Sequence, residues 1–360
     1  MTNDLKAIRR SLAVLATISV FVVAYHAREL ILPVLLGFLL ALTLSPVNRS
    51  IQRIGVPAGI SATLLVLVAA AGIVLAIFFA GGTVAEWTND APAIAQQLKQ
   101  KLSGVSEALE VVQKTSKDIE EMATEAEADT TQKVAVKPPS LLNSAVTVAA
   151  STVTSIGVAL ILTLFLLASG DLFYTKIVQS FPTLTGKKRA LSTVYDIERQ
   201  VSGYLFTITL INAGLGIAVT LALWAIGLEY AYVWGIAAFL LNYVPVLGGI
   251  IGTVLIAAYS IVTFDSLTYA FLAPVAYQLL TTSEAQFVTP YIVGRRMELN
   301  IVAVFLTVVL WGWIWGIAGV IVAVPFLLVF KVVCDNFDDL AIVGNFLSSA
   351  ERPLNSNPKR

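Results

Sequence analysis

Two stretches of this chain, residues 230–264 and 299–330, carry no charged side chain, and each is interrupted near its middle by proline or glycine. A straight helix rises ~1.5 Å per residue, so either stretch would run ~50 Å and overshoot a hydrocarbon core ~30 Å thick. Each is therefore expected to be a broken helix or a helical hairpin. Non-helical backbone at membrane depth persists only where protein buries it or where it lines a cavity, and paired interruptions point to a transporter's binding site.

A hydrophobic content of 57%, a charged content of 13% and a mean hydropathy of +0.83 put the chain in the multi-span membrane class. Basic and acidic residues balance, so nothing argues for a nucleic-acid partner. The lone Cys334 excludes an intramolecular disulfide and a thiolate metal cluster. Residues 11–25 follow a short basic stretch as a signal peptide would, but another apolar run begins at once and no small-residue cleavage site intervenes, so they are expected to remain as a first span.

Further apolar runs cover 30–48, 54–85, 138–170, 201–228 and 266–283, which with the two interrupted runs gives eight membrane elements. Lys and Arg concentrate on cytoplasmic loops. Lys6, Arg9, Arg10, Arg49, Arg53 and the group Lys187, Lys188 and Arg189 fall on one side if the first four runs each cross once. Residues 86–137 then lie outside, and they are acidic, with apolar positions such as Ile94, Leu98, Leu102, Val105 and Leu109 forming a helical stripe. That stripe suits a partner helix, a second copy of the chain, or a hairpin closing on itself. The expected domains are N-terminal membrane helices (1–85), an extracytoplasmic helical insert (86–137), a membrane helix (138–170), a cytoplasmic amphipathic segment (171–200), a transport core (201–333) and a cytoplasmic tail (334–360). Both termini are expected to be cytoplasmic.

If both interrupted runs are hairpins, span 201–228 with its hairpin and span 266–283 with its own would form an inverted repeat, which lets one structure open alternately to either side of a central site. Trp234, Gly235, Gly248 and Gly249 in one unit are echoed by Trp311, Gly312 and Gly316 in the other.

No phosphate loop, metal-binding pair or nucleophile constellation is present, and no cofactor is expected. The single histidine, His26, ends the first span and reads as an interfacial anchor. Ionisable or amide groups in membrane elements are costly and tend to face a cavity, which singles out Glu284, Gln286 and Asn242. Glu284 either binds a cation or proton or holds a turn, because Pro290 and Gly294 just beyond are expected to stop the helix. Asn242 precedes Pro245 and either coordinates a ligand or satisfies carbonyls that the proline frees. Gly248 and Gly249 suit a hairpin tip, or close helix packing. Trp311, Trp313 and Trp315 do not share one helical face, which suggests a splayed stretch, and Asp196, Glu198 and Arg199 read as a solvated cytoplasmic helix.

The segments Tyr243–Gly249 (YVPVLGG), Glu284–Gly294 (EAQFVTPYIVG) and Trp311–Pro325 (WGWIWGIAGVIVAVP) resemble the bacterial AI-2E transporter family, and the resemblance extends over essentially the whole chain. The family pattern E-x-[NQ]-x-x-x-P falls on Glu284, Gln286 and Pro290, with its later glycine at Gly294, and the Pro-x-x-Gly tip falls on Pro245 and Gly248. Where many relatives carry a proline soon afterwards, this chain reads Leu299-Asn300-Ile301. The resemblance implies an all-α inner-membrane secondary transporter, homo-oligomeric and embedded in the lipid bilayer. Its substrate is a small polar solute such as autoinducer-2, or a monovalent cation exchanged for protons. The expected site comprises Glu284, Gln286, Asn242, Pro245, Gly248, Gly249, Pro290, Gly294, Arg295 and Gly316. A membrane scaffold that does not transport, recruiting a partner through 86–137, is the rival reading.

Overall fold

The computed structural model describes the backbone of residues 21–117, 141–170, 184–244, 247–293, 299–336 and 340–348, with residues 11, 12, 15, 16 and 19, and side chains except in 102–152, 181–193 and a few single positions. The fold is all-helical, and the described residues hold one isolated bridge, Leu299 to Ser348, in place of any sheet. Among the described residues, four helices are long and apolar enough to cross a membrane, at Arg28–Arg53, Ala58–Trp87, Val194–Ile226 and Ile301–Asp335. Shorter apolar helices occupy Val153–Ser169, Ala231–Leu241 and Leu247–Thr263.

Helices α1 (Arg28–Arg53), α2 (Ala58–Lys117) and α3 (Leu141–Ser169) form an N-terminal layer. Between apolar helices in lipid, association depends on close packing and polar contacts. Both are present. A Cβ on Gly37 would stand 2.7 Å from the Ala159 carbonyl oxygen, so glycine lets α1 lie directly on α3. Thr163 donates to the Gly37 carbonyl at 3.0 Å, and Asn48 donates from Nδ2 to the Leu167 carbonyl at 3.1 Å while accepting from Ser61 at 2.6 Å.

Helix α2 runs 60 residues without a break, ~90 Å, so the expected boundary at 85/86 is not a structural one. The change from apolar to charged composition leaves helix propensity high, since Ala, Gln, Leu, Lys and Glu dominate the C-terminal half of α2.

Helix α4 (Leu184–Ile226) leads into the second half of the chain. After it, α5 (Ala231–Leu241) and α6 (Leu247–Thr263) form a hairpin. In one straight helix Trp234 and Tyr259 would stand ~37 Å apart; their ring centroids are 5.5 Å apart. Short helices α7 (Leu267–Ala270) and α8 (Leu272–Ser283) continue through a π-turn, Glu284–Val288, into α9 (Thr289–Ile292). The helix runs past Pro290 and ends at Ile292, two residues before Gly294. The π-turn has already displaced the i→i−4 ladder, with Thr289 N–H bonding the Glu284 carbonyl, so the missing proline donor is tolerated there.

Helix α10 (Ile301–Asn336) is also two arms. Gly316 takes φ 65° and ψ −144°, a region closed to other residues, and the chain reverses there. The Trp311 and Phe326 rings, ~22 Å apart in a straight helix, lie 4.8 Å apart. A Cβ on Gly319 would collide with the Trp311 carbonyl oxygen. The tryptophan stretch is helical rather than splayed: Trp311 and Trp315 pack one turn apart at 4.3 Å, whereas Trp313 turns outward at 76% exposure. Asn300 caps the first arm by accepting from Val302 N–H at 2.9 Å. Helix α11 (Ala341–Phe346) packs on α10.

Candidate functional site

Helix α4 contributes one amide to the uncharged stretch 201–226, Asn212, which is fully buried. Asn242 lies just past the end of α5, where the hairpin turns. Glu284 opens the π-turn and is 8% exposed. These three meet. Asn242 Nδ2 donates to Asn212 Oδ1 at 2.8 Å and to Glu284 Oε2 at 3.3 Å, and the Thr289 hydroxyl donates to Glu284 Oε1. The π-turn aligns Thr289 for this role, because the extra residue rotates the helix between Glu284 and Thr289.

A cavity of about 420 Å³ opens on the cluster, lined by Tyr204, Asn242, Gln278, Glu284, Gln286 and Thr289 among others. An apolar cavity of about 380 Å³, bounded by Leu210, Ile211, Leu215 and Val288, lies on its other side. Glu284 is the residue that lines both. A carboxylate with amide and hydroxyl donors, held between two cavities, can bind the hydroxyl groups of a polar solute or exchange its hydrogen bonds for a cation or proton.

The first hairpin is fixed in place by contacts that only glycine permits. Any side chain at Gly248 would strike the Leu241 carbonyl oxygen, and any at Gly252 would strike the Tyr277 hydroxyl, which donates to the Gly248 carbonyl at 3.3 Å. Thr209 and Tyr243 share a 2.7 Å hydrogen bond beside the tip.

Of the residues expected at the site, Asn242, Gly249, Glu284 and Gln286 line the polar cavity. Gly248 supports it. Pro290 is exposed on α9 and lines neither cavity. Gly316 marks the tip of the second hairpin and likewise lines neither; the neighbouring Trp315 donates to the Ala24 carbonyl at 3.0 Å. Pro245, Gly294 and Arg295 lie outside the described residues.

Asn212 and Thr289 were not anticipated, although a single amide in an apolar span is a readable signal. The solvated reading of Glu198 is also wrong. It is 6% exposed; Arg49 Nη1 donates to both of its oxygens, at 2.8 and 2.6 Å, and Ser45 adds a third bond at 2.8 Å. Its neighbours Asp196 and Arg199 are exposed as expected. Lys331 is buried too and donates to Asp335 at 2.8 Å.

The model of the AI-2E family transporters matches residues 12–339. The AI-2 transport protein TqsA of Escherichia coli strain K12 is 25% identical over 306 residues, 85% of this chain and 86% of that protein. A putative transport protein of Haemophilus influenzae is 24% identical over 361 residues, 98% of this chain and 99% of the relative. A putative transport protein of Borreliella burgdorferi is 28% identical over 204 residues, 55% of each chain. A family match over nearly the full length, on a helical membrane fold with a buried polar cluster, identifies the chain as a member of the AI-2E transporter family.

Proposed function

We propose that this transporter exports a small, neutral, hydroxylated solute of the autoinducer-2 kind across the bacterial inner membrane, by alternating access and without ATP. The observation that carries this reading is the polar cavity of about 420 Å³ ending on Glu284, Asn242 and Thr289. That volume is far larger than a bare monovalent cation and falls in the range of small-molecule sites. Paired donors and acceptors suit a polyol, and the name of the Escherichia coli relative points to the same class of solute. The protein is a transport protein rather than an enzyme.

In this reading, Gln286, Gly249 and Asn242 contact the solute, Glu284 sits at the divide between the two cavities, and Pro245, Gly294 and Arg295 also serve the site. The helices of 1–85 and 138–170 act as the scaffold, and 201–333 is the transport core. Its two hairpins enter the membrane from opposite faces as an inverted repeat, with Gly316 at the tip of the second. Both termini are cytoplasmic and the working unit is a homo-oligomer. A second reading, exchange of a monovalent cation for protons, draws on Glu284 as the acidic group lining the cavity.

The test is transport in proteoliposomes holding the purified protein, with autoinducer-2 as solute, an internal pH dye and imposed Na⁺ or K⁺ gradients. Saturable movement of autoinducer-2, reduced at least about tenfold by Glu284→Gln, is expected. Cation-driven pH changes that vanish in Glu284→Gln, with no movement of autoinducer-2, would replace this reading with the second.

A further inference from the structure

Asn212 is wholly buried, yet half of its amide is unsatisfied. Its Oδ1 accepts from Asn242 at 2.8 Å, while its Nδ2 has no hydrogen-bond partner among the described residues. The direction of this chain of bonds is set by chemistry. A carboxylate accepts only, so Asn242 must turn its NH₂ towards Glu284. The same NH₂ also faces Asn212, which must answer with its oxygen. The NH₂ of Asn212 is therefore turned away, and exchanging its amide nitrogen and oxygen would set two donors against each other.

Its place on α4 adds a second line of argument. Tyr204 and Ile208, two turns and one turn before it on the same helical face, line the polar cavity. Ile211 and Leu215, both on one flank of Asn212, line the apolar cavity. Asn212 itself lines neither cavity: it lies one turn beyond Ile208 on α4, closed off behind Asn242, which does line the polar cavity. A structural asparagine inside an apolar span would be expected to have both ends of its amide bonded, because an unpaired buried donor is costly.

Building on the solute-transport reading, we propose that Asn212 is the innermost binding residue of the transport site. It donates Nδ2–H to an acceptor oxygen of the solute, a hydroxyl, ether or carbonyl, as the solute passes Asn242. The substrate class this selects is a neutral, oxygen-bearing small molecule. A bare cation would meet the positive end of an amide dipole.

Binding and structural roles predict opposite signs for one substitution. Asn212→Leu is close in volume and removes the unpaired donor, so a binding role leaves the melting temperature of the solute-free protein unchanged or raised while transport fails. A role in holding Asn242 would lower the melting temperature. The experiment measures thermal unfolding of the purified full-length protein, and autoinducer-2 transport in proteoliposomes, for wild type, Asn212→Leu, Asn212→Ala and Glu284→Gln. The expected result is an undiminished melting temperature for Asn212→Leu with transport at least about tenfold lower through a raised KM, and the same transport loss for Asn212→Ala. Wild-type transport in both Asn212 variants, with Glu284→Gln inactive, overturns this inference and leaves the solute-transport reading standing. Loss of transport together with a lowered melting temperature in Asn212→Leu assigns Asn212 a structural role and also overturns it. A wild type inert towards autoinducer-2 removes the functional reading, and this inference with it.

Discussion

Glu198 and Arg49 are joined by three short bonds with Ser45, but the two ions are buried unequally: the carboxylate side chain is 6% exposed and the guanidinium 38%. Breaking a buried pair costs mainly through the ion left behind. Arg49→Ala strands the deeply buried Glu198 and should destabilise the protein by about 3 kcal/mol or more. Glu198→Ala strands an Arg49 that can rehydrate, and should cost only about 1 kcal/mol. Unfolding of the two variants in detergent, measured side by side, checks the order; equal losses would mean that Glu198 remains solvated in solution. This pair also shows why some residues were illegible in the sequence. Asp196 and Arg199 give Glu198 a local context that reads as solvated, and its burial depends on a partner 149 positions away. Asn242 and Glu284, by contrast, were readable one at a time, as polar groups in apolar runs. Their meeting was not, since it depends on how the first hairpin folds back across α4.

At the scale of elements, the two interruptions were legible because Pro and Gly are the residues that punctuate an otherwise uninterrupted apolar helix. The π-turn was not, since Pro290 has the same sequence signature whether a helix ends or widens there. The two hairpins also depend on glycine in different ways, which makes the second one testable in detail. Gly316 has open space around its Cα and a positive φ of 65°, so Gly316→Ala should cost about 1–3 kcal/mol through backbone strain alone. Gly319 has ordinary helical geometry but no room, because a Cβ would meet the Trp311 carbonyl, so Gly319→Ala must push the arms apart. Trp311 fluorescence should therefore shift in Gly319→Ala and stay in place in Gly316→Ala, while both lower the melting temperature. Gly72, with an ordinary φ and open space on α2, is the control: alanine there should not lower the melting temperature and should stabilise the helix by up to about 1 kcal/mol.

At the scale of the molecule, α2 does more than cross the membrane. The sequence suggested a separate insert at residue 86, since charge and acidity rise there, but a helix does not end merely because its surface becomes polar. Beyond that point α2 grips the open end of the first hairpin. Trp87 lies 5.2 Å from the Trp234 ring and 4.6 Å from the Tyr259 ring, so it joins both arms. Lys101 Nζ donates to the carbonyls of Val262 at 3.1 Å and Phe264 at 2.9 Å, at the C-terminal end of α6, where helical carbonyls lack partners and a cation is favoured. The same hairpin carries Asn242 at its turn, so the N-terminal layer and the polar cluster are linked through one rigid element. Lys101→Met keeps the length and apolar stem of the side chain but removes the cap. It should speed amide exchange in the last turn of α6 and the residues just after it, about 260–266, by a factor of about 5 to 10, corresponding to about 1 kcal/mol of lost capping. Exchange at 153–169 in the N-terminal layer should be unchanged. If exchange in the last turn of α6 is the same in both proteins, the C-terminal half of α2 does not hold the hairpin, and any effect of Trp87→Ala on transport must then come from the aromatic stack alone.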